Sequence, residues 1–265
     1  LLFSLGFIDD IKVKINPNIR LILMLSILIF CINIFSIQIT KSGLDFLNLW
    51  LENNIFQICF VLLCFLFVVN GANLVDGFNG LLAIHLLLIN SIFLLININN
   101  QNDNISIILS GQIIIILSFL IFNFPKAKIF LGDSGSYLIG SLIVLNTIKT
   151  YELNPQISPF FFAGVLFYLF YEVFFSFIRK AVLKKSPLYP DNLHLHMLLY
   201  KWISASKKKE SSNYLTSILI NSSYLFLQIP LFYFQNHGLI SRYWFFSLII
   251  LYTIIYFRLY SFSKK

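Results

Sequence analysis

What most constrains this chain is a succession of apolar runs, most of them close to the roughly 20 residues needed to cross a hydrocarbon core about 30 Å thick as a helix. They cover residues 19–39, 54–69, 80–98, 105–122, 137–148, 157–177, 214–234 and 243–260. A helix satisfies its own backbone in lipid, so the expected fold class is all-α, a polytopic transmembrane helix bundle with about eight spans present. The fifth run is too short to cross unaided, which predicts a thinned bilayer, little tilt or cover from neighbouring helices. Only 11% of the 265 residues are charged and 58% are hydrophobic, whereas a soluble domain carries about 25% charged residues. A soluble fold of this length could not hide so much apolar surface.

No repeat or Pro/Gly/Ser linker divides the chain, and its longest polar stretch is 179–213, so a single membrane-embedded domain over 1–265 is expected. Cys31, Cys59 and Cys64 lie inside apolar runs without metal-ligand or disulfide spacing and read as packing or lipid-facing residues. The first eight residues are too few to span a bilayer. They read as the last turns of a helix that starts upstream, in a protein longer than this chain.

Threading the runs alternately across a membrane places 1–18, 70–79, 123–136, 178–213 and 261–265 on one side. That side, with Arg20 and Arg258 at its helix ends, takes all of the 19 Lys and Arg except Lys41, Lys149 and Arg242. By the positive-inside rule it is cytoplasmic. The formal net charge of +8 thus favours anionic lipid head groups; without an aromatic and basic stacking surface, no nucleic-acid partner is expected.

Asp9, Asp10, Asp76, Asp133 and Asp191 all fall on that same side, in four separate segments. Two carboxylates about 6 Å apart repel by roughly 3 kcal/mol at an effective dielectric of 20, so a convergent cluster calls for a cation. Oxygen-only ligands point to Mg²⁺, with Mn²⁺ as the alternative, and Mg²⁺ is usually held by one or two carboxylates together with substrate phosphates.

Four motifs carry these acids. Gly6-Phe7-Ile8-Asp9-Asp10 closes an apolar helix with paired acids, which alone is no more than a charged helix end. In the stretch 70–80, Gly71, Gly77 and Gly80 alternate with Asn70, Asn73 and Asn79 around Asp76. Glycines permit close approach of backbone to a ligand, and Asn amides bind uracil edges, sugar hydroxyls or phosphate oxygens. Gly132-Asp133-Ser134-Gly135-Ser136 opens the fifth run, so its amides are placed to bind an anion at a helix N-terminus. Its Gly-Asp-Ser-Gly also matches the nucleophile segment of trypsin-like proteases, but those are soluble β-barrels. The fourth motif includes Lys184, Lys185, Ser186, Pro187, then Pro190, Asp191, Asn192, Leu193, His194, Leu195 and His196. Cations and imidazoles beside an acid can grip a diphosphate, or the two histidines could begin a metal site. Glu172 lies inside a span, where a charge is costly, and is expected to reach a cation near the interface. His85 and His237 read as structural.

Taken together and in order, these segments resemble the polyprenyl-phosphate N-acetylhexosamine-1-phosphate transferase family. GFIDD is similar to its paired-aspartate loop, NLVDGFNGL to its N-x-x-D-G-x-D/N-G-L segment, IFLGDSGS to its F-x-G-D-x-G-S segment and SPLYPDNLHLH to its histidine loop. The last is closer to the branch that uses UDP-N-acetylglucosamine or a related UDP-HexNAc than to the phospho-MurNAc-pentapeptide translocases. Asn79 stands where many members have aspartate, and Met197 where a third histidine often follows. The resemblance implies ten or eleven spans, two or three of them before Gly6.

It also implies transfer of HexNAc-1-phosphate from a UDP-sugar to undecaprenyl or another polyprenyl phosphate, releasing UMP, as the first membrane step of a cell-surface polysaccharide or peptidoglycan-type pathway. Asp9, Asp10 and Asp133 would be catalytic, Asp133 and Asp76 would hold Mg²⁺, and Asn73, Asp76, Asn79, Lys185, Asp191, His194 and His196 would bind substrate. The expected setting is the inner membrane, with these loops cytoplasmic and a homodimer among the expected assemblies. A phospho-MurNAc-pentapeptide translocase is the alternative within the class. A transporter, from another class, would place its acids near mid-membrane, and a purely structural subunit would have no use for acidic, glycine-rich loops on one face.

Overall fold

The structure is a computed structural model and describes residues 1–11, 15–186, 189 and 191–264. Lys12, Lys14 and Lys265 of the charge count, and Pro187 and Pro190 of the histidine segment, lie outside the described residues. Every regular element described is a helix: α1 (Leu2–Asp10), α2 (Pro17–Ile34), α3 (Asp45–Leu51), α4 (Asn54–Val75), α5 (Leu81–Asn99), α6 (Asp103–Asn123), α7 (Gly132–Leu153), α8 (Pro159–Val165), α9 (Phe167–Val182), α10 (Leu195–Ser204), α11 (Lys209–Tyr233) and α12 (Gly238–Ser263). The starts of several have evident chemical causes. Asn16 accepts from the Asn18 N–H ahead of Pro17, Asn53 from the N–H groups of Ile55 and Phe56, and Ser158 from that of Phe160 after Pro159. Each side chain satisfies a donor that the first helical turn leaves free.

Six of these helices are long and apolar enough to cross a membrane, or seven if the bent pair α8 and α9 is one span. This is a multi-pass membrane protein, as the apolar runs predict, with two corrections. The run at 157–177 is not one straight helix, since α8 and α9 meet at 75°. Bending frees backbone carbonyls, and α11 supplies their partners: Gln228 Nε2 donates to Gly164 O at 3.2 Å and the Tyr224 hydroxyl to Val165 O at 2.9 Å. Broken helices persist at membrane depth only when protein satisfies the freed groups.

The second correction concerns the short fifth run. It becomes α7, 22 residues long, or about 33 Å at 1.5 Å per residue. The polar residues in and beside the run are turned inward: Ser136, Asn146, Thr147 and Thr150 are all buried. Asn146 hydrogen-bonds Asn90 of α5 and Gln112 of α6, and Thr150 accepts from Asn97 of α5. Facing protein rather than lipid, these groups tie three helices together.

The polar stretch at 70–80 also differs from a plain loop, because residues 70–75 are the last turns of α4. A Cβ on Gly71 would collide with the backbone carbonyl of Leu169 in α9, and one on Gly140 of α7 would lie 3.0 Å from the Ala72 methyl. These small residues therefore serve close helix packing rather than a ligand. Gly80, at φ +73°, abuts the Phe124 ring. Gly77 alone of the three glycines in that stretch faces open space. With α4 seated between α7 and α9, the C-terminal ends of α1, α4, α6 and α9 and the N-terminal ends of α2, α5, α7 and α11 meet at one end of the bundle.

Candidate active site

Two clusters occupy that end. The first is acidic and begins with α1 lying across the first turn of α7. Gly6 allows the approach, since a Cβ there would sit 2.5 Å from the Asp133 carbonyl and the Ser134 nitrogen. Asp10 then reaches the free amides of α7. Its Oδ1 accepts from the Asp133 N–H at 2.9 Å, and its Oδ2 from the Ser134 N–H at 3.0 Å and the Ser134 hydroxyl at 2.6 Å. Gly132 has φ +68°, and any Cβ on it would come within 2.8 Å of both Asp10 oxygens. The anion at this helix N-terminus is thus the chain's own carboxylate, a favourable place for it. Asp10→Ala should lower stability by about 1–2 kcal/mol, as loss of a helix cap does, and Asp10→Asn by less. Melting curves in detergent check this, and an Asp10→Ala protein that melts with the wild type removes the capping role.

Asp9 and Asp133 are joined by Arg20 of α2, a residue the sequence placed only as a helix-end charge. Its Nη1 lies 2.9 Å from Asp9 Oδ2 and 3.4 Å from Asp133 Oδ2. Asp133 Oδ1 accepts from Asn73 Nδ2 at 2.6 Å, and the same amide donates to Ser136 Oγ at 3.1 Å. Asp76 caps the end of α4, its N–H on Ala72 O at 3.1 Å. Burial first, then repulsion from Asp133 and Asp10 against an opposing Gly132 N–H, pushes the Asp76 carboxyl up to about 7. Among the described residues, four acidic side chains gather here, and Arg20 pairs with two of them.

The second cluster is the histidine segment. Arg179 holds Asp191 through both nitrogens, Nη1 to Oδ2 at 2.8 Å and Nη2 to Oδ1 at 3.1 Å. Burial disfavours the Asp191 charge, but Arg179 and the Leu193 N–H outweigh it and hold that carboxyl below its usual range. His194 and His196 are both buried, their rings parallel at 5.6 Å. His196 Nδ1 lies 3.4 Å from the Tyr168 hydroxyl. Burial, only partly opposed by the charge of Glu172, pushes His196 down to about 4, so it is neutral near pH 7. Glu172 is buried and accepts from the His194 ring, which the sequence did not suggest.

Phe78 links the clusters. It lies two residues past Asp76, and its ring stands edge-on to His196 at 5.4 Å between centroids. Asn79 donates its backbone N–H to Asn213 Oδ1 and its side-chain amide to Pro125 O, both at 2.8 Å, tying this loop to α11 and to the end of α6. Lys185 is exposed past the end of α9, its backbone N–H on Lys180 O.

Comparison with known proteins decides the family. Residues 1–151, which contain the whole acidic cluster, match the model of glycosyl transferase family 4. The chain belongs to that family. It is 31% identical over 206 residues to the undecaprenyl-phosphate alpha-N-acetylglucosaminyl 1-phosphate transferase of Thermotoga maritima, across 78% of this chain and 61% of the relative. It is 27% identical over 199 residues to the phospho-N-acetylmuramoyl-pentapeptide-transferase of Clostridioides difficile, across 70% and 62%. A probable undecaprenyl-phosphate N-acetylglucosaminyl 1-phosphate transferase of Bacillus subtilis is 27% identical over 211 residues, across 74% and 54%. The chain spans about three-fifths of the length of the first two relatives.

A family 4 site of this kind raises the question of a divalent cation. Among the described residues no group of three His, Cys, Asp or Glu side chains could cage a metal. The donors present are all oxygens, in excess negative charge, which fits a hard cation that keeps water and substrate phosphate among its ligands. The half-buried, mutually repelling carboxyls of Asp76 and Asp133 are the groups suited to it.

Proposed function

We propose that this protein transfers N-acetylhexosamine-1-phosphate from a UDP-sugar to a polyprenyl phosphate. The observation that carries the reading is the convergence of Asp9, Asn73, Asp76 and Asp133, from three helices far apart in sequence, at one end of a membrane bundle. In the reaction, an oxygen of the lipid phosphate attacks the β-phosphorus of the nucleotide sugar. The bond from that phosphorus to the bridging oxygen breaks, UMP leaves, and a lipid diphosphate sugar forms. A phosphate monoester is largely ionised near pH 7, with a second pKa of about 6, so attack needs positioning more than a strong base.

Asp76 and Asp133 would hold Mg²⁺, which when bound neutralises phosphate charge. Asp9 and Arg20 flank Asp133 and would orient the lipid phosphate, the guanidinium being a matched partner for phosphate oxygens. Asn73, fixed on Asp133, would hold nucleotide or sugar oxygens. Asp10 serves the site indirectly, by fixing the first turn of α7. His194 and His196 would meet the diphosphate from the other cluster, His196 as a neutral hydrogen-bond donor. The excess of Lys and Arg at this end argues that it faces the cytoplasm.

The test is UMP release from UDP-N-acetylglucosamine by the purified full-length protein in detergent, with and without undecaprenyl phosphate and Mg²⁺. Release that needs both supports the reading. Release only from UDP-MurNAc-pentapeptide would move the protein to the pentapeptide branch, and none from any UDP-HexNAc would sink the proposal.

A further inference from the structure

Glu172 is the most deeply buried carboxylate described, 1% exposed, and it stands in α9 just past the break from α8. A charge is expensive there, and it persists only if its oxygens are well used. Both are. Oε1 lies 3.1 Å from His194 Nδ1 and accepts the Leu195 N–H at 2.9 Å, while Oε2 accepts the Tyr252 hydroxyl at 2.8 Å. The three partners come from the end of the histidine loop, the first residue of α10 and the middle of α12. Glu172 is therefore the point where α9, α10 and α12 are pinned to one another.

The consequence for His194 is directional. A carboxylate oxygen only accepts, so a hydrogen on Nδ1 faces Glu172, while the ring is turned with Nε2 toward Asp191 Oδ1, 3.5 Å away, itself an acceptor; Glu172 thus fixes the Nδ1 hydrogen and the direction of the ring, not the state of Nε2. Asp191 is in turn gripped by Arg179. One step along, the Tyr256 hydroxyl donates to Leu193 O at 3.0 Å, so α12 holds the backbone on the near side of the histidine as well. A ring fixed at one nitrogen by a buried carboxylate presents its other nitrogen in one orientation only, which is how an outer carboxylate commonly sets a working histidine.

We infer that Glu172, held by Tyr252, is a positioning residue that keeps a hydrogen on His194 Nδ1 and sets the direction of the ring. The role rests on the transferase reading above, because it assumes that His194 faces the reacting diphosphate. Glu172 itself touches no substrate in this arrangement and acts through the histidine.

Two measurements test it. Ring ¹⁵N shifts of the labelled protein, with His194 assigned by its loss in His194→Gln, should place a hydrogen on Nδ1; an unprotonated Nδ1 overturns the inference whatever the activity. In UMP release, Glu172→Gln keeps the shape but not the charge and should lower kcat about tenfold, with KM for the UDP-sugar within twofold. Tyr252→Phe, which removes one donor and disturbs the fold least, should lower it about threefold. His194→Ala and His194→Ala/Glu172→Gln should then be equal, since a residue acting through His194 has nothing left to act on. If instead the double variant is slower by the full Glu172→Gln factor, Glu172 works elsewhere and the inference fails. A wild type that releases no UMP but shows the protonated, Glu172-dependent Nδ1 removes the transferase reading and leaves the hold on His194 standing.

Discussion

Asp133→Asn is expected to slow UMP release by about two to three orders of magnitude, the size of loss that follows removal of one preorganised electrostatic group from a site. The change is nearly isosteric. The remaining carbonyl oxygen can still accept from Asn73 Nδ2, now at 2.6 Å, so the contact between α4 and α7 survives. What disappears is the charge. Asp133 is the carboxylate that meets Arg20, Asn73 and, through repulsion, Asp76, and no neighbour replaces it as an anionic cation ligand. Because four crowded carboxylates become three, the melting temperature should stay within a few degrees of wild type or rise. Steady-state UMP release with saturating Mg²⁺, read beside a melt in the same detergent, checks both halves. Activity within threefold of wild type would exclude Asp133 from cation binding.

Gly71→Ala should do the opposite, disrupting the fold first and activity as a result. The new Cβ would point into the backbone carbonyl of Leu169, in the first turn of α9, closer than any real contact, and a backbone carbonyl cannot swing aside as a side chain can. The seam between α4 and α9 must open. Overpacking of this kind costs about 1–3 kcal/mol, so the variant should melt several degrees lower. Its activity should fall too, because α4 ends in Asp76 and α9 carries Glu172, one on each cluster of the site. Gly77→Ala is the matched control, since a Cβ there meets nothing within 4 Å. Equal melting of the two variants would mean that the α4–α9 contact is looser than the structure has it.

Several features of the site were legible along the chain for physical reasons. Asp9, Asp76 and Asp133 lie close to ends of apolar runs and Asp191 in the polar stretch between two of them, and the connections of runs that alternate across a membrane must gather on its two faces. The chemistry of each motif was less legible. Asp10 looks like a partner of Asp9 in sequence, yet it serves α7, more than 120 residues away. Gly71 looks like part of a ligand loop, yet it is a helix contact. The fifth run looks too short because Lys149, Thr150 and Glu152 end it in sequence, although α7 continues through them to Leu153, and nothing local says that Thr150 faces another helix. Glu172 could be seen to need a partner, but not which one.

About eight apolar runs became six crossing helices, or seven with the bent pair, whereas the sequence by itself determined the class of fold and that the acids of separate segments collect at one end of the bundle. These depend on hydropathy and charge summed over short windows, which need no neighbour to be read. Tertiary structure decided which acid caps a helix, which two are bridged by Arg20, and which histidine meets Glu172. Those outcomes turn on the rotation of each helix about its axis and on contacts 22 to 123 residues apart, and helix rotation is set by packing among all the helices at once.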